Sequence, residues 1–322
     1  MWRFFLRRVG YTIIALYLLV TAIFFLFRLL PADPTATIVD PAMPPETIAA
    51  LRETFGLDQP PHVQYFMYMR NMLRGDFGSS FYYRRPAFDV LRDKVANTLV
   101  LAAAALIVSY GIGVLLGALL AWWRGRGVEI AGIVLSLFFR SAPEFWIAML
   151  AVMLFSYHLG WLPHAGIASP GSQVYGLARF FTLDFLRHLA LPLLVSSLYQ
   201  LANPLLLMRN TMLDVMGEDF VDMARAKGLP PKDVIYRHAA RNALLPVVTA
   251  LALYIGRAVG GMVVIEYVFG WPGLGREILL AANRYDYPVA QAAFTLIAAL
   301  VSVMNLVADL VYSYLDPRIA YK

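Results

Sequence analysis

The sequence predicts an all-α membrane protein with six transmembrane helices, and three observations carry that prediction. Of 322 residues, 60% are hydrophobic and 15% charged, against about 45–50% apolar and about 25% charged in soluble domains. Six stretches reach the roughly 20 apolar residues that an α-helix needs to cross the hydrocarbon. The ten-residue segments of alternating hydrophobicity that mark a membrane β-barrel are missing from the pattern.

The first span covers about 9–30 and is uncharged from Val9 through Phe27. Arg3, Arg7 and Arg8 precede it as in a signal peptide, but its core exceeds the roughly 7–15 apolar residues of such a sequence, so a retained helix is expected. Segment 31–97 follows, a large excursion in which 43–55 (MPPETIAALRETF) reads as a short helix after a proline start. The second span, about 98–123, is uncharged and ends in Trp122 and Trp123, residues suited to anchoring at the membrane interface. Its Gly111, Gly113 and Gly117 lack the strand–turn–helix context of a dinucleotide loop and suit close helix packing. The third span, about 130–157, holds Arg140 and Glu144 around a Ser141-Ala142-Pro143 break. The fourth, about 189–208, can bend at Asn203-Pro204. The fifth, about 244–269, has Arg257 in its middle and Gly256, Gly260 and Gly261 as a small-residue face. The sixth covers about 289–312. All six belong to one transmembrane domain, 1–322.

The net charge of +6 is a statement about orientation. With the N-terminus inside, the inner segments 1–8, 124–129, 209–243 and 314–322 hold thirteen Lys and Arg residues, at about twice the density of the outer segments 31–97, 159–188 and 270–288. The positive-inside rule then places both termini in the cytoplasm, and no nucleic-acid partner is needed to account for the charge.

Several chemistries are excluded. The chain has no cysteine, so there is no disulfide framework, thiolate catalysis, iron–sulfur cluster or cysteine-based zinc site. Its five histidines are scattered, without ligand spacing, and no Gly-Lys dipeptide exists to build a Walker A loop. There is no G-x-S-x-G elbow either. The chain is expected to be no enzyme and to bind no metal or cofactor.

Segment 209–243 holds six basic and five acidic residues, so it stays out of the hydrocarbon, yet it is patterned as helix. Over 214–228 the acids Glu218, Asp219 and Asp222 come early and the bases Arg225 and Lys227 late, matching the helix dipole. Gly228 suits the left-handed C-terminal position, and Pro230 and Pro231 prevent continuation. Phe220, Met223, Ala224 and Lys227 share one helical face, with Asp219, Asp222 and Ala226 on an adjacent one. Two readings remain open for this helix. It is either a solvated loop helix with compensating charges or a docking helix for a cytoplasmic partner. A second short helix starts at Pro231 and carries Arg237 and Arg241 on one face.

The run Asp219-Phe220-Val221-Asp222-Met223-Ala224-Arg225-Ala226-Lys227-Gly228-Leu229 resembles the "EAA" loop of permease subunits in binding-protein-dependent ABC importers. Its continuation through Tyr236-Arg237-His238 to Leu245-Pro246 resembles the dipeptide/oligopeptide/nickel branch, whose glycine-to-proline spacing is long, as from Gly228 to Pro246. Further matches are Gly56-Leu57-Asp58-Gln59-Pro60, Gly75-Asp76-Phe77-Gly78-Ser79-Ser80, Pro143-Glu144-Phe145-Trp146 and Gly160-Trp161-Leu162-Pro163. They continue with Glu266-Tyr267-Val268-Phe269-Gly270-Trp271-Pro272-Gly273-Leu274-Gly275 and Leu315-Asp316-Pro317-Arg318. Together they are similar to the first-type ("B") subunit over nearly the whole chain. The sequence departs from the family with Asp222-Met223-Ala224 in place of the Glu-Ala-Ala triplet and with Ala32 where glycine is usual. Arg257 stands in a stretch that is normally small and apolar.

The resemblance implies a type I importer fold in a prokaryotic inner membrane and half of a heterodimeric path for peptides or peptide-like solutes. Implied partners are a second permease subunit, cytoplasmic ABC ATPases that use ATP and Mg, and a periplasmic binding protein received by 31–97. ATPase coupling is then assigned to Glu218, Asp219, Asp222, Met223, Ala224, Arg225, Lys227 and Gly228. Polar positions on the fourth and fifth spans, Ser196, Ser197, Gln200, Tyr254 and Arg257, are the candidates to line the path. Arg257 either favours an anionic ligand there or pairs with Glu144, Glu266, Asp309 or the partner subunit. A secondary transporter acting without an ATPase is the alternative, but it calls for inverted repeats and mid-membrane carboxylates, and no clear repeat exists.

Overall fold

Backbone polar groups have no water to bond in hydrocarbon, so a spanning segment must satisfy them within a helix, and each long apolar stretch here is helical. The computed structural model describes residues 2–29, 59–172 and 176–315. Helix α1 (Trp2–Leu29) begins ahead of the apolar run. The helix expected over 43–55 lies outside the described residues. Helix α2 (Pro61–Leu73) has no counterpart among the sequence expectations and starts on a proline in its first turn. It lies along α1, where Tyr65 Oη and Thr21 Oγ1 are 2.8 Å apart and the Phe24 ring meets Tyr65 and Tyr68.

Helix α3 (Ala87–Trp122) extends well before the apolar segment that predicted it. It packs most extensively against α6 (Leu183–Val215), and two glycines permit the approach. A Cβ at Gly113 would lie 2.7 Å from Pro204 Cγ, and one at Gly117 would overlap the Leu205 carbonyl. Gly111 has open space around it, so the close-packing expectation holds for two of the three glycines. Helix α6 runs on through Pro192 and Pro204, and Pro204 serves as a packing surface for α3.

Two predicted spans are not single helices. The third consists of α4 (Gly127–Ser141) and α5 (Glu144–Ala151, continuing as a π-helical turn to His158), which meet at 101°. Ala142, the residue before Pro143, is extended at ψ 144°, as a following proline demands. The fifth divides into α8 (Ala240–Gly260) and α9 (Val263–Val268), interrupted at Gly261-Met262. Helices α10 (Leu274–Asn283) and α11 (Tyr287–Leu315) follow. Among the described residues, five helices are long and apolar enough to cross a membrane, and the bent α4–α5 pair is a sixth candidate.

Helix α11 packs on α8, α1 and α10. Gly256 seats the Asn305 side chain, whereas Gly260 opens onto empty space, so the small-residue face is only partly a packing face. The main buried cluster runs through α3, α5, α6 and α8, and a second one joins the start of α3 to α10 and α11. Because α3 is continuous from Ala87 to Trp122, the bundle has two distinct ends. Residues 74–86, α9 and α10 form one, and the α3–α4 turn with segment 209–243 forms the other.

Candidate functional site

At the second end, the chain leaves the bundle and returns to the same point. Thr211 Oγ1 on α6 donates to the Ala243 carbonyl on α8 at 3.0 Å, closing the excursion at its root. Between these residues lies α7 (Asp219–Ala226). The sequence predicts one helix over 214–228, but Asp214 and Val215 complete α6, and a turn at Met216-Gly217 separates the two. Gly217, the poorest helix former in the run apart from proline, sits at the break. Gly228 does take the left-handed conformation, φ +74°. The second short helix begins at Pro231 and passes through a π-helical turn, Val234–Ala239, into α8.

Helix α7 buries Val221 and Ala224 in the main cluster, with Val234, Ile235 and Ala239. Asp219, Asp222, Ala226 and Lys227 are exposed, and so are Phe220 at 39% and Met223 at 59%. The face expected to be shared by Phe220, Met223, Ala224 and Lys227 is therefore divided. Ala224 points inward, while Phe220, Met223 and Lys227 remain outward at i, i+3 and i+7 spacing. Glu218 occupies the N-cap position without a side-chain cap bond. Arg225 reaches Asp222 at 2.9 Å on the exposed surface. The neighbouring α3–α4 turn is held more firmly. Glu129 accepts from Gly125 N–H at 2.6 Å and from Arg209 Nε at 2.8 Å, with a second Arg209 nitrogen also on it.

The five proposed path residues are not equivalent. Ser196 and Ser197 are buried, and their hydroxyls have no hydrogen-bond partner among the described residues. Gln200 and Tyr254 are half-buried, and Tyr254 is tilted against the Tyr110 ring. Arg257 is exposed, and its side chain makes no hydrogen bond or ion pair among the described residues. It lies in the last turn of α8, not in the middle of a long helix, a position where a cation complements the helix dipole. Two of the three acids within this chain that could pair with it are engaged elsewhere. Asp309 holds Arg8 at 2.8 Å, and Glu266 is inside the protein. With Leu253, Gly260, Val264 and Tyr267, Arg257 forms an exposed stripe along α8 and α9.

Glu266 is the residue that sequence reasoning undervalued. It is fully buried and accepts from Thr98 Oγ1 at 2.6 Å and from the Arg276 N–H at 3.0 Å. Its carboxylate thus caps the start of α10, and Thr98 Oγ1 in turn accepts the Leu274 N–H at 2.9 Å. Next to it, Trp271 Nε1 donates to the Asn97 carbonyl, Asn97 Nδ2 donates to the Pro272 carbonyl, and Arg179 donates to Asn97 Oδ1. A Cβ at Gly273 would overlap the Glu266 carboxylate, and one at Gly275 would sit 2.6 Å from Val263 Cα. The signal was present in the Gly-Trp-Pro-Gly-Leu-Gly run after Glu266, whose glycines make room for this acid.

The same end holds two more buried acids. Glu277 binds Lys94 Nζ at 2.9 Å and accepts from Tyr83 Oη at 2.9 Å. Burial, and then the Glu277 charge, push the Tyr83 phenol up from its ordinary pKa. Asp286 accepts from Ser80 Oγ and from the N–H groups of Phe81 and Tyr82. Residues 80–83 are thereby fastened to the α10–α11 junction.

The chain is therefore a helical membrane bundle with a closed, charged excursion between two long helices and an amphipathic helix exposed upon it. Residues 1–102 match the N-terminal component, and residues 113–321 the main component, of the family described as binding-protein-dependent transport system inner membrane component. The chain belongs to that family and is a multi-pass inner-membrane permease subunit. It is 34% identical over 310 residues to the dipeptide transport system permease protein DppB of Alkalihalophilus pseudofirmus, covering 92% of this chain and 93% of that one. It is 37% identical over 306 residues to the glutathione transport system permease protein GsiC of Salmonella typhimurium, covering 95% of each. With the oligopeptide transport system permease protein AppB of Bacillus subtilis it shares 34% over 299 residues, 92% of this chain and 93% of the other. Its fold resembles that of the MetNI methionine ABC transporter in an inward-facing conformation, with TM-score 0.55 and 17% identity over 70% of this chain and 96% of that one.

Proposed function

We propose that the chain forms half of a path for peptides or peptide-like solutes, paired with a second permease subunit, with both termini in the cytoplasm. In this reading 31–97 faces the periplasm and receives the binding protein, while ATPase subunits supplying ATP and Mg dock from the cytoplasm on α7. The spans and the segment 209–243 then act as one domain. The relatives named for dipeptide, glutathione and oligopeptide transport support the solute class. Nothing in the fold or the relatives favours a secondary transporter.

The observation that carries the coupling role is the pair Phe220 and Met223, apolar and outward on a helix outside the bilayer. Glu218, Asp219, Asp222, Arg225 and Lys227 surround the pair and would set register, while Ala224 seats the helix and Gly228 ends it. Along the path, Arg257 offers a free cation to a carboxylate. Met223→Asp leaves the bundle untouched, because the side chain is on the surface, and should weaken co-purification of the ATPase subunits roughly tenfold or more, as loss of a central interface anchor does. Unchanged co-purification would remove α7 from the contact.

A further inference from the structure

A groove runs along the outside of the bundle between α3 and α8. Its first part is a cavity of about 610 Å³ lined by Leu106, Ile107, Gly111, Leu251 and Ile255 among others, with Tyr110 contributing the sole hydroxyl among the described lining residues. A second cavity of about 790 Å³ adjoins it, sharing Val114, Leu115 and Leu244. Its lining ends in Trp122, Trp123, Lys232 and Tyr236. A third, of about 350 Å³, shares Trp122 and Ile235 and continues to Arg225 and Leu229 beside α7.

Polarity is segregated along this groove. The part within the bilayer is apolar, and the part at the 209–243 end has two indoles, a phenol and a cation. Trp and Tyr favour the headgroup level, and Lys232 makes no ion pair among the described residues. The cavities widen in the same direction, from about 610 Å³ beside Gly111 to about 790 Å³ beside Trp122 and Lys232. An apolar groove with a cationic mouth lined by indoles matches the division of a phospholipid into acyl chain and anionic headgroup.

We propose that this groove binds one anionic phospholipid. Its phosphate meets Lys232 between Trp122 and Tyr236, and an acyl chain rises past Leu115 and Gly111 toward Ile107. The lipid belongs to the leaflet on the side of segment 209–243, where it would bridge α3 to the base of α7. The proposal rests on the membrane location of the chain and is independent of the transported solute.

The test uses the assembled transporter in detergent and native mass spectrometry, with phosphatidylglycerol and phosphatidylcholine as probes. Wild type is expected to retain phosphatidylglycerol preferentially. Lys232→Gln should lower that preference about fivefold, the effect of one basic charge near an anionic lipid, and Ile107→Trp should lower retention of both lipids. Equal retention of the two lipids by wild type, or a preference that Lys232→Gln leaves intact, overturns the proposal. Ile107→Cys, in a chain with no other cysteine, adds a second arm. Photoactivatable phosphatidylglycerol should label the peptide containing it. Crosslinking at that position to a membrane helix of the second permease subunit would show the groove to be filled by protein, and would equally overturn the lipid assignment.

Discussion

The two ends of the bundle are built on opposite principles. At the α10 end, buried acids are matched to donors. Glu266, Glu277 and Asp286 each have their partners, and Gly273 and Gly275 leave room for Glu266. On α7 and the turn that follows it the charges lie on the surface, and the ion pairs Arg225–Asp222 and Arg237–Asp233 are solvent-exposed, worth about 0–1 kcal/mol each. Only Val221 and Ala224 anchor α7 from within. A buried hydrogen-bond network resists rearrangement because any shift leaves polar groups unpaired. A helix held by two small apolar side chains can be moved, or grasped, from outside. The difference assigns rigidity to one end and adjustability to the other.

The largest effect should come from breaking the rigid end. Gly275→Ala places a methyl against Val263 Cα and the Glu266 carboxylate, with no flexible neighbour to give way. It should destabilise the chain by about 3 kcal/mol or prevent its accumulation. Glu266→Ala leaves Thr98 and the first N–H groups of α10 without an acceptor and should cost about 2–3 kcal/mol, whereas Glu266→Gln keeps an acceptor and should cost less. Thermal unfolding of the purified membrane complex measures all three. Equal effects of the Ala and Gln variants would mean that the carboxylate acts as filler and not as a cap.

A firm joint does exist near the adjustable end, and it is the next test of the contrast. Glu129 ties the α3–α4 turn to Arg209 of α6. Glu129→Ala leaves two of the Arg209 nitrogens and the Gly125 N–H without their acceptor and should cost about 1–3 kcal/mol. The same unfolding experiment on Arg209→Met and on the double variant gives their coupling. A coupling near zero would mean that this end is loose throughout.

How much of this was legible in the sequence follows from how local each determinant is. Spans could be located because hydrophobic length is a property of the run itself, and the break at Ser141-Ala142-Pro143 because proline constrains its neighbour. The end of α7 was legible at Gly228, and its start was misplaced because Asp214 and Val215 continue the preceding helix through tertiary packing. The glycine run after Glu266 marks room for that acid, but its partner is not legible, since Thr98 and Glu266 are 168 positions apart. The exposure of Arg257 was hidden for the same reason. Two of the acids that the sequence offers it lie against partners far away along the chain, Asp309 on Arg8 and Glu266 on Thr98.

Gly228 tests the adjustable end directly. A Cβ there meets open space, so the cost of Gly228→Val is that of the left-handed backbone, φ +74°, about 1–2 kcal/mol and confined to the end of α7. Assembly of the membrane subunits should survive, while ATP hydrolysis and uptake become uncoupled in proteoliposomes. Normal coupled uptake would show that the geometry of α7 does not transmit the ATPase motion.

The smallest change in stability is expected at Arg257, where the functional consequence is the most informative. The side chain is exposed and unpaired among the described residues, so Arg257→Ala should alter the unfolding temperature of the assembled transporter little, within about 0.5 kcal/mol. If the exposed stripe of α8 and α9 faces the path, the same variant removes a cation from it. Uptake of a ligand bearing a free carboxylate should then fall relative to its amidated analogue. A stability loss well above 0.5 kcal/mol with an unchanged ratio of the two ligands would place the arginine in an ion pair with the second permease subunit. Rescue by Arg257→Lys separates these cases, because a diffuse attraction for carboxylates survives the exchange of one cation for another, whereas a bidentate pair with a fixed acid does not.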